Sequence, residues 1–301
     1  MNSSNIRNIC IFTNTLLKGG AEKQAILLSK ALSDRFNVYL LVYYGDQVDG
    51  EYLNVLEVNQ IDITLLNGNH LGKVFKLINY FKGKSIDIVF SYLLTTNLIG
   101  GIIGLLGCVN LTVGGIRSSR LGNKKSVERY LHNHLNDYTI INNLSGQRRF
   151  SEQGFKKNKL IHIPNCIEID YGLIIRPERE IVNILTVGRF HESKDYHTAL
   201  KAIMLLAQSR NDFSYYIIGY GRLERQIKEW ISMFGINEYV NVIVSPRNLP
   251  EYYKDADIYL STSIYEGLSN TLLEAMSYSL PLVVTDAGDN DQLVSNDGNG
   301  Y

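Results

Sequence analysis

The feature that most constrains the fold of this chain is the alternation of strand-type and helix-type segments along most of its length. Short apolar runs of strand length are separated by segments with apolar residues at helical spacing, such as Ala25, Leu28 and Leu32. In the first half the predicted strands are 8–13, 38–42, 61–66, 86–91, 111–116, 138–142 and 160–163. Because this alternation builds parallel sheets with helices on both faces, we predict doubly wound α/β domains.

A break in the pattern divides the chain. Residues 164–180 hold two of the five prolines and a cluster of charges, which is typical of a linker. Alternation then resumes, with predicted strands at 181–187, 215–218, 240–244, 258–261 and 282–285. We therefore predict an N-terminal domain over residues 1–173 and a C-terminal domain over 174–301. Ligands of such sheets bind beyond the carboxyl ends of the strands, so we expect the site in the cleft between the domains.

Composition excludes several classes of protein. With 45% hydrophobic and 20% charged residues the chain is globular rather than disordered or fibrous. Cys10, Cys108 and Cys166 lack the spacing of metal ligands or of a disulfide framework, which fits a reducing cytoplasm. Because residues 1–7 are polar and the apolar run after them is only of strand length, we expect no signal peptide. The apolar run at 98–109 is too short to cross a membrane, and its four glycines predict a buried, closely packed helix.

Two carboxylates flank a predicted helix start near the C-terminus. Glu266 precedes the helix, Ser269 or Asn270 is the predicted N-cap, and Glu274 lies one to two turns inside. A helix start offers free amides to an anion, so the two carboxylates are placed to hold opposite ends of one elongated ligand. The alternative is that two glutamates eight residues apart are a coincidence.

Two cations follow the first strand of the second domain. Arg189 leaves the strand end, and Lys194 stands five residues later, just before a helix. An arginine fork and a lysine point charge together suit a diphosphate, although a solvated loop is the alternative.

Glycines mark two further strand-to-helix turns. Gly19 and Gly20 open the first helix, and Gly219 and Gly221 stand before the helix predicted at 223–234. Glycine lets a backbone approach a phosphate closely, but a helix entry or a tight turn explains either pair almost as well. Neither has the spacing of a dinucleotide-binding fingerprint.

Positive charge is concentrated in the first domain. The stretch from Arg117 to Lys159 holds ten basic and three acidic residues, a net charge of +7, so it either faces an anionic surface or is merely solvated. Within it, His132 and His134 are predicted to lie on a helix surface. They are an unsuitable metal pair, because helical residues two apart point in different directions.

The order of motifs resembles glycosyltransferase family 4. Its members are retaining, metal-independent enzymes of the GT-B fold, in which two Rossmann-like domains face each other across a cleft. The motifs are Gly19-Gly20-Ala21-Glu22, Ile163-Pro164-Asn165, Val187-Gly188-Arg189-Phe190 with Lys194, Gly219 with Gly221, Glu266-Gly267-Leu268-Ser269-Asn270 with Glu274-Ala275-Met276, and Thr285-Asp286-Ala287-Gly288.

The resemblance implies a role for each site residue. Arg189 and Lys194 would bind the diphosphate of a nucleotide-sugar donor, Glu274 would bind its ribose, and Glu266 would lie beside the donor sugar. The backbones of Gly19, Gly20, Gly219 and Gly221, and of Leu268, Ser269 and Asn270, would complete the donor site. Glu266, Arg189 and Lys194 are then the predicted catalytic residues. The acceptor hydroxyl would attack on the face from which the diphosphate leaves, with no protein nucleophile, metal or cofactor.

The chain departs from the family pattern at three places. Where many relatives have a histidine after the fourth strand, this chain has Phe90-Ser91-Tyr92-Leu93, so no catalytic helper is assigned in the first domain. Cys166 replaces the usual glycine after Asn165, and we interpret it as structural. The sequence ends at Tyr301, before the family's last helix, which predicts an incomplete second domain with exposed apolar surface and a truncated enzyme of uncertain activity.

The predicted function is that of a hexosyltransferase of class EC 2.4. It would move a sugar with retention from a nucleoside diphosphate to a glycan or lipid-linked acceptor in cell-surface polysaccharide synthesis. The predicted location is cytoplasmic and peripheral at the inner membrane face, through the basic stretch from Arg117 to Lys159, and no nucleic acid partner is expected. Two alternatives remain open: a GT-B nucleotide-sugar epimerase, and a nucleotide-sugar binding protein without activity.

Overall fold

The computed structural model describes residues 6–118, 121, 125–169, 174, 176–246 and 248–301, with the backbone alone at Leu71. The chain forms two compact units, residues 1–166 and 167–301. The predicted domain boundary, between residues 173 and 174, adjoins residues 170–173, which lie outside the described part of the chain.

The first unit is a seven-stranded parallel sheet in the order β3-β2-β1-β4-β5-β6-β7. This arrangement confirms the doubly wound α/β fold. Each predicted strand is present, and its observed ends differ from the predicted ones by at most two residues. The strands are β1 Asn8–Thr13, β2 Asn37–Val42, β3 Asp62–Leu65, β4 Ile88–Tyr92, β5 Leu111–Ile116, β6 Tyr138–Ile141 and β7 Leu160–His162. The helices between them are α1 Gly20–Ser33, α2 Gly50–Val58, α3 His70–Gly83, α4 Leu93–Leu105, α5 Lys125–His134 and α6 Leu144–Glu152.

Strand β1 shows why these short runs are almost wholly apolar. Ile9 and Ile11 pack into the hydrophobic cluster that includes α1, while Cys10 and Phe12 pack into the cluster on the opposite face. Since helices cover both faces of the sheet, a central strand needs apolar side chains at consecutive positions. Burial raises the pKa of the Cys10 thiol, which is therefore an inert core group.

Helix α4 corrects the predicted buried helix at 98–109. It starts earlier, at Leu93, and only one face is buried, while Leu98, Ile102 and Leu105 are exposed. The expected close packing holds on the buried face: a Cβ at Gly104 would lie 2.4 Å from Thr112 Cγ2, and Gly100 and Gly101 are similarly crowded. In the described ranges no helix combines the length and the apolar character needed to cross a membrane.

His132 was predicted to lie on a helix surface, and this prediction is wrong. It is 1% exposed, its Nδ1 lies 2.9 Å from Thr139 Oγ1, and Asn136 Nδ2 is 3.2 Å from the same nitrogen. Burial lowers the pKa of His132 to about 3, so the ring is neutral. His134, two residues later, is exposed, as expected for helical positions that point in different directions.

The second unit repeats the same topology with five parallel strands in the order β10-β9-β8-β11-β12. The strands are β8 Val182–Val187, β9 Phe213–Gly219, β10 Val240–Val244, β11 Ile258–Ser261 and β12 Leu282–Val284. The helices are α7 Tyr196–Ala207, α8 Glu224–Met233, α9 Leu249–Asp255, α10 Asn270–Ser277 and α11 Asn290–Leu293. The carboxyl ends of the central strands β8 and β11 are neighbours, and the loops that leave them carry the predicted site residues.

Candidate functional site

The structure joins two of the predicted catalytic residues directly. Lys194 closes a 3-10 turn, Glu192–Lys194, in the loop after β8, and Glu266 lies in the loop after β11. The ammonium of Lys194 donates to Glu266 Oε1, and the two side chains are 18% and 16% exposed. The sequence predicted both residues for one site, but not that they form an ion pair.

One hydroxyl side chain joins the two loops, and a second one holds Glu266 within its own loop. Ser263 Oγ donates to Glu266 Oε1 at 2.9 Å, and Thr262 Oγ1 donates to the carbonyls of Lys194 and Asp195 at 3.1 and 2.9 Å. Sequence reasoning missed both hydroxyl residues. The signal that would have found them is their position directly after a buried strand, at the carboxyl edge of the sheet.

Arg189, the third predicted catalytic residue, lies at the start of the loop after β8, and its side chain is exposed. Among the described residues it has no ion pair or hydrogen bond through its side chain, so the structure does not connect it to the pair formed by Lys194 and Glu266. Its guanidinium is therefore available to an anion at the carboxyl end of β8.

Glu274 is held by a residue that the sequence did not indicate. The hydroxyl of Tyr253, on α9, donates to Glu274 Oε2 at 2.8 Å. Burial raises the pKa of Tyr253 well above its ordinary value, and the neighbouring carboxylate raises it further, so the phenol stays protonated and remains a donor. Tyr253 thus fixes one oxygen of Glu274.

The start of α10 lies between the two glutamates. Ser269 is the N-cap, as predicted, but its side chain makes no capping hydrogen bond and lies instead 3.2 Å from Thr271 Oγ1. Leu268 and Asn270, predicted with it as backbone ligands, flank this position. Since the Ser269 hydroxyl does not occupy the first-turn amides, the helix start keeps the polarity that favours an anion.

Gly219 and Gly221 are required by packing between loops. A Cβ at Gly219 would lie 1.9 Å from the carbonyl oxygen of Gly188, and one at Gly221 would lie 2.6 Å from that of Phe190. Gly221 also has a φ of +146°, a conformation that other residues rarely adopt. The two glycines therefore hold the loops after β8 and β9 together, whatever further contact they make with a ligand.

In the first unit, Gly19 is the N-cap of α1 and Gly20 its first residue. A carboxylate already lies beside this helix start: a Cβ at Gly19 would be 2.3 Å from Glu22 Oε2, and Glu22 Oε1 accepts from Thr15 Oγ1 at 2.8 Å. A phosphate approaching Gly19 would meet this negative charge. Across the described ranges, no three His, Cys, Asp or Glu side chains are grouped as metal ligands would be.

Comparison with known proteins finds a family match for the second unit. Residues 176–301 match the family Glycosyl transferases group 1. An uncharacterized glycosyltransferase of Haemophilus influenzae is 27% identical, over 94% of this chain and 82% of its own length. A Campylobacter jejuni enzyme named GalNAc-alpha-(1->4)-GalNAc-alpha-(1->3)-diNAcBac-PP-undecaprenol alpha-1,4-N-acetyl-D-galactosaminyltransferase is 24% identical, over 88% of this chain and 76% of its own.

Solved structures show the same fold. Anabaena Alr3699/HepE, crystallised in complex with UDP-glucose, superimposes with a TM-score of 0.83 at 19% sequence identity, over 97% of this chain and 84% of that one. The chain therefore has the α/β fold of the GT-B glycosyltransferases, and its second unit, from residue 176 onward, matches the group 1 family of those enzymes.

Proposed function

We propose that this chain is a retaining glycosyltransferase of family 4 and a hexosyltransferase. It would transfer a sugar from a nucleoside diphosphate to a glycan or lipid-linked acceptor in cell-surface polysaccharide synthesis. The observation that carries the proposal is the ion pair between Lys194 and Glu266, at the carboxyl edge of the second sheet. It puts a cation that can bind a phosphate side by side with a carboxylate that can accept hydrogen bonds from a sugar.

The main chemical task is to stabilise the leaving diphosphate. As the bond between the sugar and the diphosphate breaks, negative charge grows on the diphosphate oxygens. Cations that are already in place stabilise this charge and so lower the activation barrier, because the site does not have to rearrange. In the proposal, Lys194 and Arg189 supply this charge, with help from the start of α10. No metal or cofactor is part of it.

The two glutamates have different tasks in the proposal. Glu266, held by Lys194 and Ser263, lies beside the donor sugar near the reacting carbon. Glu274, oriented by Tyr253, accepts hydrogen bonds from the ribose hydroxyls. The acceptor hydroxyl attacks on the face that the diphosphate leaves, and the diphosphate takes its proton, so the anomeric configuration is kept.

The test is a transfer assay with a panel of nucleoside diphosphate hexoses and a polyprenyl diphosphate-linked N-acetylhexosamine. We expect one donor to be consumed with retained configuration in the product. Lys194→Met should lower kcat by about 100-fold or more, because it removes a charge that stabilises the transition state. Glu266→Gln should do the same while still binding the free nucleoside diphosphate. A product of inverted configuration, or isomerised donor formed without acceptor, would overturn the proposal.

We also propose a cytoplasmic protein that binds the inner membrane face through its first unit. Arg129, Arg148, Lys156 and Lys157 of the basic stretch are exposed. Helices α4 and α5 pack together, and each exposes apolar side chains, among them Leu105 and Tyr130 at 67% and 62% exposure. Exposed apolar groups next to basic ones are the combination that anionic bilayers bind.

A further inference from the structure

Arg117 is a half-buried arginine at the carboxyl edge of the first sheet. It directly follows β5, and its guanidinium carbon lies 4.6 Å from the ring centroid of Tyr92, which ends β4. Its Nη1 donates to Asn165 Oδ1 at 2.7 Å. Among the residues that the structure describes, no carboxylate lies within ion-pair distance of this guanidinium.

The groups around Arg117 are held rigidly. Asn165 Oδ1 also faces Asn142 Nδ2 at 3.3 Å, and Asn142 is 2% exposed. Beyond Asn165, the side chain of Gln24 donates to the carbonyl of Cys166 at 2.7 Å and accepts from its amide at 3.0 Å. The exit from β7 is thereby fixed to α1, and Asn165 with it.

The charge of Arg117 is poorly compensated. In the described part of the chain its buried Nε meets no hydrogen-bond acceptor, and the partners of its side chain are a neutral amide and an aromatic ring. A half-buried cation that has lost water without gaining an anion binds an incoming anion more strongly than a solvated surface arginine does. The guanidinium fork matches the oxygens of a phosphate in particular.

From this we infer that Arg117, oriented by Tyr92 and Asn165, binds a phosphate group of the acceptor substrate. This rests on the proposed function, in which the donor's diphosphate is bound by Arg189 and Lys194 of the second unit. An anion site built from the strand ends of the first unit then belongs to a second phosphorylated substrate. The acceptor class is a sugar linked to a phosphate or a diphosphate, and a neutral glycan end lacks the group that Arg117 recognises.

The test is isothermal titration of inorganic pyrophosphate into the full chain saturated with UDP, so that the proposed donor site is occupied. We expect wild type to bind pyrophosphate, Arg117→Gln to bind at least tenfold more weakly, and Arg117→Lys to fall between them. A parallel titration with inorganic phosphate distinguishes the two acceptor types: tighter pyrophosphate binding indicates a diphosphate-linked acceptor, and equal binding a monophosphate.

Asn165→Asp is a more specific test than Arg117→Gln, because it replaces only the side-chain amide by a carboxylate of nearly the same size. A carboxylate at this position supplies Arg117 with an internal counter-ion 2.7 Å from Nη1, so we expect at least tenfold weaker pyrophosphate binding in a chain that folds normally. Arg35→Gln, at an exposed arginine just after α1 in the first unit, is the matched control and should bind like wild type.

The two proposals fail in different ways. If UDP does not bind, the proposed donor site is wrong, whatever pyrophosphate does. If UDP binds to every variant, but pyrophosphate does not bind beside it or binds equally to wild type, Arg117→Gln and Asn165→Asp, the assignment of Arg117 is overturned while the donor site stands.

Discussion

At the scale of single residues, the ion pair between Lys194 and Glu266 places one positive and one negative charge side by side in the proposed site. Both side chains are mostly buried, so each has lost most of its hydration and depends on the charge of its partner. Replacing one member leaves the other charge buried and uncompensated, which is generally more costly than losing the pair as a whole. The effects of Lys194→Met and Glu266→Gln should therefore not be additive, and their double variant is informative about the pair.

Tyr253→Phe should weaken nucleotide binding without unfolding the chain. The ring remains to fill the core, but Glu274 loses the donor at Oε2, so one oxygen of a carboxylate proposed to hold ribose is oriented less firmly. A hydrogen bond to a charged group contributes about 1.5–3 kcal/mol, part of which reaches the nucleotide contact, and we expect UDP affinity to fall by about tenfold. Calorimetric titration of UDP measures this.

Tyr216→Phe provides the control for that variant. Tyr216 lies on β9, partly buried, and the described residues offer its hydroxyl no hydrogen-bond partner. UDP affinity should be unchanged in Tyr216→Phe. An equal loss in both variants would show that Tyr253 does not act through Glu274.

Because His132 is buried and neutral, the folded chain should lose stability in mild acid. Its pKa is about 3 in the folded chain and about 6.5 when unfolded, so between these values the unfolded chain binds more protons. The free energy of unfolding should therefore fall as pH falls through this window. From pH 6.5 to 5 the contribution of His132 is on the order of 1–2 kcal/mol.

Urea denaturation of His132→Gln at the two pH values isolates this contribution from that of the carboxylates. The variant should lose about 1–2 kcal/mol less than wild type between pH 6.5 and 5, whatever its absolute stability. Asn158→Gln, at an exposed position without a titratable group, should keep the wild-type slope. Identical slopes in all three proteins would contradict the buried, neutral state of His132.

At the scale of elements, glycine permits close packing in both units. In α4, glycines let the helix approach β5, and in the second unit Gly219 and Gly221 let two loops share backbone contacts. After α4, Gly107 has a φ of +65°, and the amides of Gly107 and Cys108 donate to the carbonyls of Gly104 and Ile103. This is a Schellman-type end, which explains why the helix stops before the apolar run does.

Gly104→Ala should therefore destabilise the chain although alanine favours helix. The added methyl would lie 2.4 Å from Thr112 Cγ2, and we expect a loss of about 1–3 kcal/mol from overpacking. At Gly83, the last residue of α3, no atom lies within 4 Å of an added Cβ. Gly83→Ala should therefore be stabilising by about 0.4–1 kcal/mol. Chemical denaturation compares the two, and an equal gain for both would refute the packing argument.

At the scale of the whole molecule, charge differs between the two units. The net +7 from Arg117 to Lys159 lies in the first unit, although Arg120 and Lys124 of that stretch fall outside the described residues. Elsewhere in the stretch some basic groups are internal: Lys159 Nζ, for example, donates to the carbonyl of Asn136 at 2.6 Å. The charge offered to an anionic surface is thus smaller than the sequence count.

The membrane proposal predicts flotation with liposomes that contain anionic lipid, and loss of flotation in 0.5 M salt as the charges are screened. The double variant Lys156→Gln, Lys157→Gln should reduce binding by about tenfold or more, since each basic residue contributes about 1 kcal/mol. Arg225→Gln with Lys228→Gln, on the exposed side of α8 in the second unit, is the matched control. Flotation that depends on neither the anionic lipid nor the salt concentration would contradict the proposal.

The sequence by itself determined the fold class and the strands, and it predicted the residues of the proposed donor site. These follow from local information: apolar runs of strand length, helix starts marked by Ser269 or glycine, and motifs within ten residues. Even there the sequence misjudged α4, because periodicity shows which residues are apolar but not which face a neighbouring element covers.

Only the tertiary structure decided which side chains meet. Lys194 and Glu266 are 72 residues apart, Arg117 and Asn165 are 48 apart, and Tyr253 reaches Glu274 from another helix. The same holds for His132, whose buried position depends on β6 packing beside it. A parallel sheet brings distant strand ends together, so the chemistry at its edge depends on strand order, and no stretch of sequence records that order.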